Sequence, residues 1–277
     1  KPSSAASDVY KRQLGGMMYL CGDPERAPVE VTFPQSYLHA GGDGACATIM
    51  ALYYRDKTGE GQRIDISIHS CVPWTTMSAL EYWPLNKLIP KRAGARRIRL
   101  VTMAYERQVW KCKEGYVHFL QIGGMAGARF MNEMMKWLDE EGLLTDKLRG
   151  IKWEEVDGLY LPQEMLDELE KPLAQLFSRY TAWEIYKEAI RRRIQILPVS
   201  TAKDISEDIQ LKERDFWVYV EYPFGRIKFP GPFAKFTREE IRIKRSPFIG
   251  EHNEEIYMGE LGLSRKDMEL LMGVGVI

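Results

Sequence analysis

IMALYYRDKTGEGQRIDISI, residues 49–68, joins two different periodicities through a glycine turn. On its upstream side Ala45, Ile49, Leu52 and Tyr53 recur at helical spacing, which predicts a buried helix from Asp43 to about Lys57. Gly59, in Thr58-Gly59-Glu60-Gly61, suits the left-handed conformation that closes a helix. Ile64, Ile66 and Ile68 then alternate over residues 63–69, the period of a strand with one buried face. Helix, tight glycine turn and strand in that order predict an α/β layer.

Outward from this stretch the texture changes several times. Val29, Val31 and Phe33 alternate in a short extended segment, residues 28–34. Residues 71–82 read as a second helix, cut by Pro84, and a basic run follows with Lys91, Arg92, Arg96, Arg97 and Arg99 around Gly94. Residues 110–113 and 116–119 flank Glu114-Gly115 as a hairpin. Residues 129–141, 163–180 and 183–193 carry the apolar spacing of amphipathic helices. An extended segment is expected to start at 198–201 and a strand at 218–221; residues 223–232 are rich in Gly and Pro, and from Phe248 a short loop leads into helices through Leu271.

Composition narrows the classes. Hydrophobic residues make up 45% of 277, enough for a sizeable core and too many for a disordered chain. Lys+Arg and Asp+Glu both number 39, so no broad basic field points to nucleic acid. No apolar run approaches bilayer length, and no membrane partner is expected. Cys21, Cys46, Cys71 and Cys112 show no CxxC spacing, which speaks for free thiols, a cytoplasmic location and no metal site. Residues 1–13, KPSSAASDVYKRQ, read as a non-native tail, because DVYKRQ is the translation of a transposon end used in sequencing libraries. The protein is accordingly expected to begin upstream.

Four stretches, taken together and in order, resemble the class III coenzyme A transferase family, CaiB/BaiF. They are residues 49–68 with their Thr-Gly-x-Gly-Gln turn; KCKEGYVHF, 111–119; ILPVSTAKDISEDIQLKER, 196–214; and SPFIGEHNEEIYMGELGLS, 246–264, with the closing GVGVI. Singly each is an ordinary turn, hairpin or helix start; their joint order carries the resemblance. It implies an α/β fold: the C-terminal part of a Rossmann-like large domain, a small α+β domain, and a C-terminal segment returning to the large one. Residues 14–72 then end the first large-domain segment, 73–94 form a linker, 95–180 the small domain and 181–277 the returning segment. Subunits of the family interlock as dimers.

The resemblance also implies a chemistry. Family members move CoA between carboxylic acids through a catalytic Asp, with acyl-CoA and a free acid as substrates and no permanently bound cofactor. A related branch racemises α-methylacyl-CoA by acid–base chemistry. Aligning the helix before TGEGQ without gaps puts the family's Asp at Ser36 or Tyr37, and neither is a carboxylate. Two readings of Asp43 therefore stand side by side: a displaced nucleophile, or a carboxylate offsetting the dipole in the first turn of a helix. His39 is a candidate base or a hydrogen-bonded loop residue. The chain is either an active transferase, as a homodimer, or the subunit without a nucleophile beside an Asp-bearing paralogue, as in the heteromeric benzylsuccinate enzyme. Gly94, Arg96 and Arg97 fall where the family brings a glycine loop to the partner's site, which suits an arginine–carboxylate pair as well as a solvated loop. Ile68 matches a position lining the adenine pocket and reads equally as core. His252 is expected to cap or stitch a helix.

Overall fold

The protein, seen here in a computed structural model, is described for residues 15–99, 101–121 and 124–277. The expectation for residues 1–13 lies outside that set. The chain divides into two compact units, the first running to Val199 and the second from Ser200 to Ile277.

The first unit opens with α1 (Met17–Leu20) and α2 (Gln35–Thr58). Helix α2 starts eight residues before Asp43, directly after Pro34, so Gly41, Gly42 and Gly44 lie inside it. It stops where the glycine turn requires: Gly59 has φ 77° and donates its N–H to Arg55 O at 2.7 Å. The strand expected over 63–69 is not formed. Residues 61–67 adopt no regular secondary structure and pair with no strand among the described residues, because apolar alternation does not by itself supply the neighbour that makes a ladder. Ile68 is instead the first residue of α3 (Ile68–Thr75), with Ser67 Oγ accepting the Ser70 N–H at 3.4 Å as the cap. The single helix expected at 71–82 breaks at Thr76, and α4 (Met77–Asn86) runs through Pro84 to end at Lys87. Pro84 sits in the last turn, where its missing N–H costs one bond.

β1 (Arg96–Arg99) and β2 (Ala104–Arg107) form an antiparallel pair, and the basic run is thus largely strand. β3 (Val109–Lys111) and β4 (Tyr116–Phe119) form the expected hairpin, closed by Cys112 N–H to Gly115 O at 3.0 Å with Gly115 at φ 78°. Three helices follow: α5 (Gly124–Glu140), α6 (Gln163–Arg179) and α7 (Ala182–Arg192), the last begun by a reciprocal Thr181–Glu184 capping box. β5 (Ile196–Pro198) returns antiparallel to β4, giving the sheet order β3-β4-β5. One core runs through these elements, from Ala104 to Ile196, with Trp110, Phe119, Met134, Leu173 and Phe177 fully or almost fully buried. It therefore takes in α7 and β5, beyond residue 180.

The second unit contains α8 (Ala202–Glu207), α9 (Ile209–Glu213), the hairpin β6 (Trp217–Tyr222) and β7 (Gly225–Pro230), a π-helix at Glu254–Glu260, and α10 (Arg265–Gly273). β7 runs through the Gly- and Pro-rich stretch 223–232, for which no strand was expected: Arg226, Ile227, Lys228 and Phe229 pair in register with Glu221, Val220, Tyr219 and Val218. The fold is thus mixed α/β. Among the described residues every strand pair is antiparallel, and parallel pairing is confined to the bridge between Glu114 and Thr181.

Candidate functional site

Ser36 and Tyr37 occupy the first turn of α2, Ser36 wholly buried and Tyr37 exposed. Asp43 lies two turns further along, mid-helix. The reading of it as a first-turn carboxylate is therefore overturned, since no unbonded N–H groups gather there. His39 precedes Asp43 by four residues and shares its face of the helix.

Across from α2, α3 supplies a residue that sequence reasoning passed over. The Cys71 thiol is buried, donates to Ser67 O at 3.2 Å, and lies near enough to the Asp43 carboxylate to feel its charge. Burial first, and Asp43 second, push that thiol up to about 11, so it stays protonated and un-nucleophilic at neutral pH. Nothing in the pattern of Cys71 marks it for this position; α3 was expected as strand where it begins. Ile68 opens α3 and is half-buried. The segment 61–67 passes close to α2, with Ile66 3.9 Å from where a side chain on Gly44 would begin. A groove of about 830 Å³ lies between them, lined by Met50, Tyr53, Tyr54, Gln62, Arg63 and Ile64.

The second group of candidates sits on the β1 side. Gly94 has φ 59°, and a Cβ there would lie 2.3 Å from Asp23 Oδ1. Its N–H donates to Gly22 O at 2.9 Å, while Arg92 donates from Nε to the carbonyls of Asp23 and Arg26. Gly94 is required here by the close approach of the Gly22-Asp23 turn. Arg96 Nη2 donates to Glu170 Oε1 at 2.7 Å, and Arg97 Nε to Glu106 Oε2 at 2.8 Å.

Glu106 is fully buried. It also holds Arg99, whose Nε lies 2.9 Å from Oε2, and accepts the Gln121 N–H at 2.9 Å. Arg99 spends its amino groups on the carbonyls of Gly158 and Gln121. The four charged partners Glu106, Glu170, Arg99 and Arg107 could not be paired from sequence, because Glu170 lies 74 residues from Arg96. His39, Asp43 and Ile68 make no hydrogen bond or ion pair to Gly94, Arg96 or Arg97. His252 is exposed, and its carbonyl accepts the Ile256 N–H at 2.9 Å at the start of the π-helix. Among the described residues no three His, Cys, Asp or Glu side chains converge as a metal site, and no helix is long and apolar enough to cross a membrane.

A hairpin-closed α/β unit with this glycine-turned helix defines a class, and comparison with known proteins states which. The model of CoA-transferase family III matches residues 1–253. The chain belongs to that family. It is 26% identical over 279 residues to the BbsE subunit of succinyl-CoA:(R)-benzylsuccinate CoA-transferase from Thauera aromatica, covering 98% of this chain and 65% of that protein. It is also 26% identical over 290 residues to formyl-CoA:oxalate CoA-transferase from Streptomyces coelicolor, covering 98% of this chain and 67% of the relative. The chain thus spans about two thirds of the length of these curated relatives. The fold is that of a CAIB/BAIF family protein from Brucella suis, at a TM-score of 0.71, 21% identity, and coverage of 92% of this chain and 63% of the other.

Proposed function

We propose that this chain is the nucleophile-lacking subunit of a heteromeric CoA transferase, working beside an Asp-bearing paralogue. The observation that carries the reading is local to α2. Neither Ser36 nor Tyr37 is a carboxylate, and Asp43 is two turns away, on the helix body. The likeness to BbsE, itself named as a subunit, agrees. In the proposed cycle the paralogue's carboxylate attacks the thioester carbonyl of the donor, expels CoA thiolate and becomes a mixed anhydride. The thiolate attacks the enzyme-derived carbonyl, releasing the donor acid and leaving an enzyme thioester. The acceptor carboxylate then displaces CoA to form a second anhydride, whose acyl group the thiolate carries away.

Hydroxylamine trapping tests the assignment. With acyl-CoA and hydroxylamine, this chain alone is expected to give no hydroxamate, and the co-purified paralogue to give one. A hydroxamate at Asp43 would replace this reading with that of a displaced carboxylate.

Arg96 and Arg97 are the residues we assign to the carboxylate of a dicarboxylic acyl group; Arg97 supports this best, since 42% of its side chain remains exposed while Nε is fixed by Glu106. A hydrogen bond to a charged group contributes about 1.5–3 kcal/mol, so replacing both arginines by Gln is expected to weaken binding roughly ten- to a hundredfold. The loss should appear with a dicarboxylic acyl-CoA and not with a monocarboxylic one; equal losses would assign the pair to folding.

A further inference from the structure

Arg96 and Arg107 stand directly opposite each other across the β1–β2 ladder. Like charges at that spacing repel. One carboxylate oxygen answers both: Glu170 Oε1, on α6, accepts from Arg96 Nη2 at 2.7 Å and from Arg107 Nε at 2.8 Å. Burial works to raise the Glu170 carboxyl, yet these two guanidiniums hold it below the usual carboxylate range. A single negative charge is therefore set against two positive ones.

A third cation lies alongside. Arg107, Lys111 and Glu170 line one cleft of about 480 Å³, shared with Trp110, Cys112 and Ser178. Arg107 rests its guanidinium over the Trp110 ring at 5.8 Å and uses Nε on Glu170, so its two terminal amino groups bond to nothing among the described residues. The Lys111 ammonium likewise has no hydrogen bond or ion pair there. Cys112 adds no opposing charge, since burial pushes its thiol up to about 11. Trp110, whose buried indole N–H also lacks an acceptor, closes the wall.

We propose that this cleft is an oxyanion site, taking the phosphate or carboxylate group of a small ligand between Arg107 and Lys111. The arginine offers a fork of donors for a planar or tetrahedral oxyanion, and the lysine a mobile point charge. Glu170 sets the orientation of Arg107 and competes electrostatically with the ligand. The site stands on its own observations and does not depend on the CoA-transfer reading.

Calorimetric titration of the full chain with sodium phosphate, and separately with succinate, tests it at ionic strength held constant with sodium chloride. Saturable binding of at least one is expected. Lys111→Met should weaken it roughly tenfold, the loss of one charge-assisted hydrogen bond. That variant alters an exposed side chain with no partner and so keeps the fold. Glu170→Gln should strengthen binding by removing the competing charge. Binding of phosphate alone assigns a phosphoryl group, and of succinate alone a carboxylic acid. Absence of saturable heat with both, or binding that Lys111→Met leaves unchanged, overturns the site.

Discussion

Helices α2 and α6 use similar residues to opposite ends. On α6, Leu166, Leu169, Leu173, Leu176 and Phe177 form one stripe and are all buried. On α2, Leu38, Ile49, Met50 and Tyr53 are between 64% and 71% exposed, and Ser36 is its buried residue. The difference lies in the distribution of apolar residues around the helix. A stripe with a charged opposite face specifies its own partner surface, and α6 finds that surface in β2, β3 and α5 and in the Phe119 ring of β4. A helix apolar on most sides, carrying Gly41, Gly42 and Gly44 at about 0.8–1 kcal/mol each against alanine, has little intrinsic stability. Its order depends on what packs against it. α6 is thus a self-sufficient part of a core, and α2 a surface-forming part.

The self-sufficiency of α6 rests most heavily on Phe177. Its ring meets Trp110 edge-on at 5.5 Å and Phe119 at 6.2 Å, and it is completely buried. Phe177→Ala is expected to cost about 3–5 kcal/mol. Urea denaturation followed by tryptophan fluorescence measures it. A loss below about 1 kcal/mol would mean that this core tolerates cavities as a loosely packed one does.

These two helices also mark what can be read from sequence. α6, α7 and the hairpin around Glu114-Gly115 were legible because their signals are local: apolar spacing for the helices and a Glu-Gly pair between two apolar runs for the hairpin. So was the end of α2 at Gly59. The expected strand at 63–69 failed because alternation of Ile64 and Ile66 is a local property, whereas a strand needs a neighbour. β7 was missed because Gly225 and Pro230 bracket it and look like loop. The candidate site divides in the same way. That Ser36 and Tyr37 are not carboxylates is evident from the residues; that Asp43 meets Cys71 depends on how α3 lies across α2. The arginine run was visible, but its carboxylate partners come from β2 and α6.

A polar contrast sharpens the same lesson. Glu106 and Arg99 are both buried, while half of Arg97 faces solvent. Glu106→Gln leaves the Arg99 charge without its anion inside the protein and is expected to cost about 3 kcal/mol. Arg97→Gln leaves Arg99 to neutralise Glu106 and should cost under about 1 kcal/mol. Equal costs, measured by the same denaturation, would show that Arg97 and not Arg99 is the principal partner of Glu106.

The smallest effect on stability is expected on α2. Met50 is 71% exposed and lines the groove beside residues 61–67. Met50→Gln removes apolar surface that is already in water, so the folded and unfolded chains lose nearly the same solvation. Unfolding free energy should change by less than about 0.5 kcal/mol. Association responds differently, because an uncovered apolar face lowers its free energy by meeting another one. Sedimentation velocity over a concentration series is therefore expected to show the unaltered chain associating and Met50→Gln associating less. If the substitution instead destabilised the chain by 2 kcal/mol or more, the cost of a lost core contact in the sense of large-to-small replacement, α2 would be packed in solution. The division between a self-sufficient α6 and a dependent α2 would then fall.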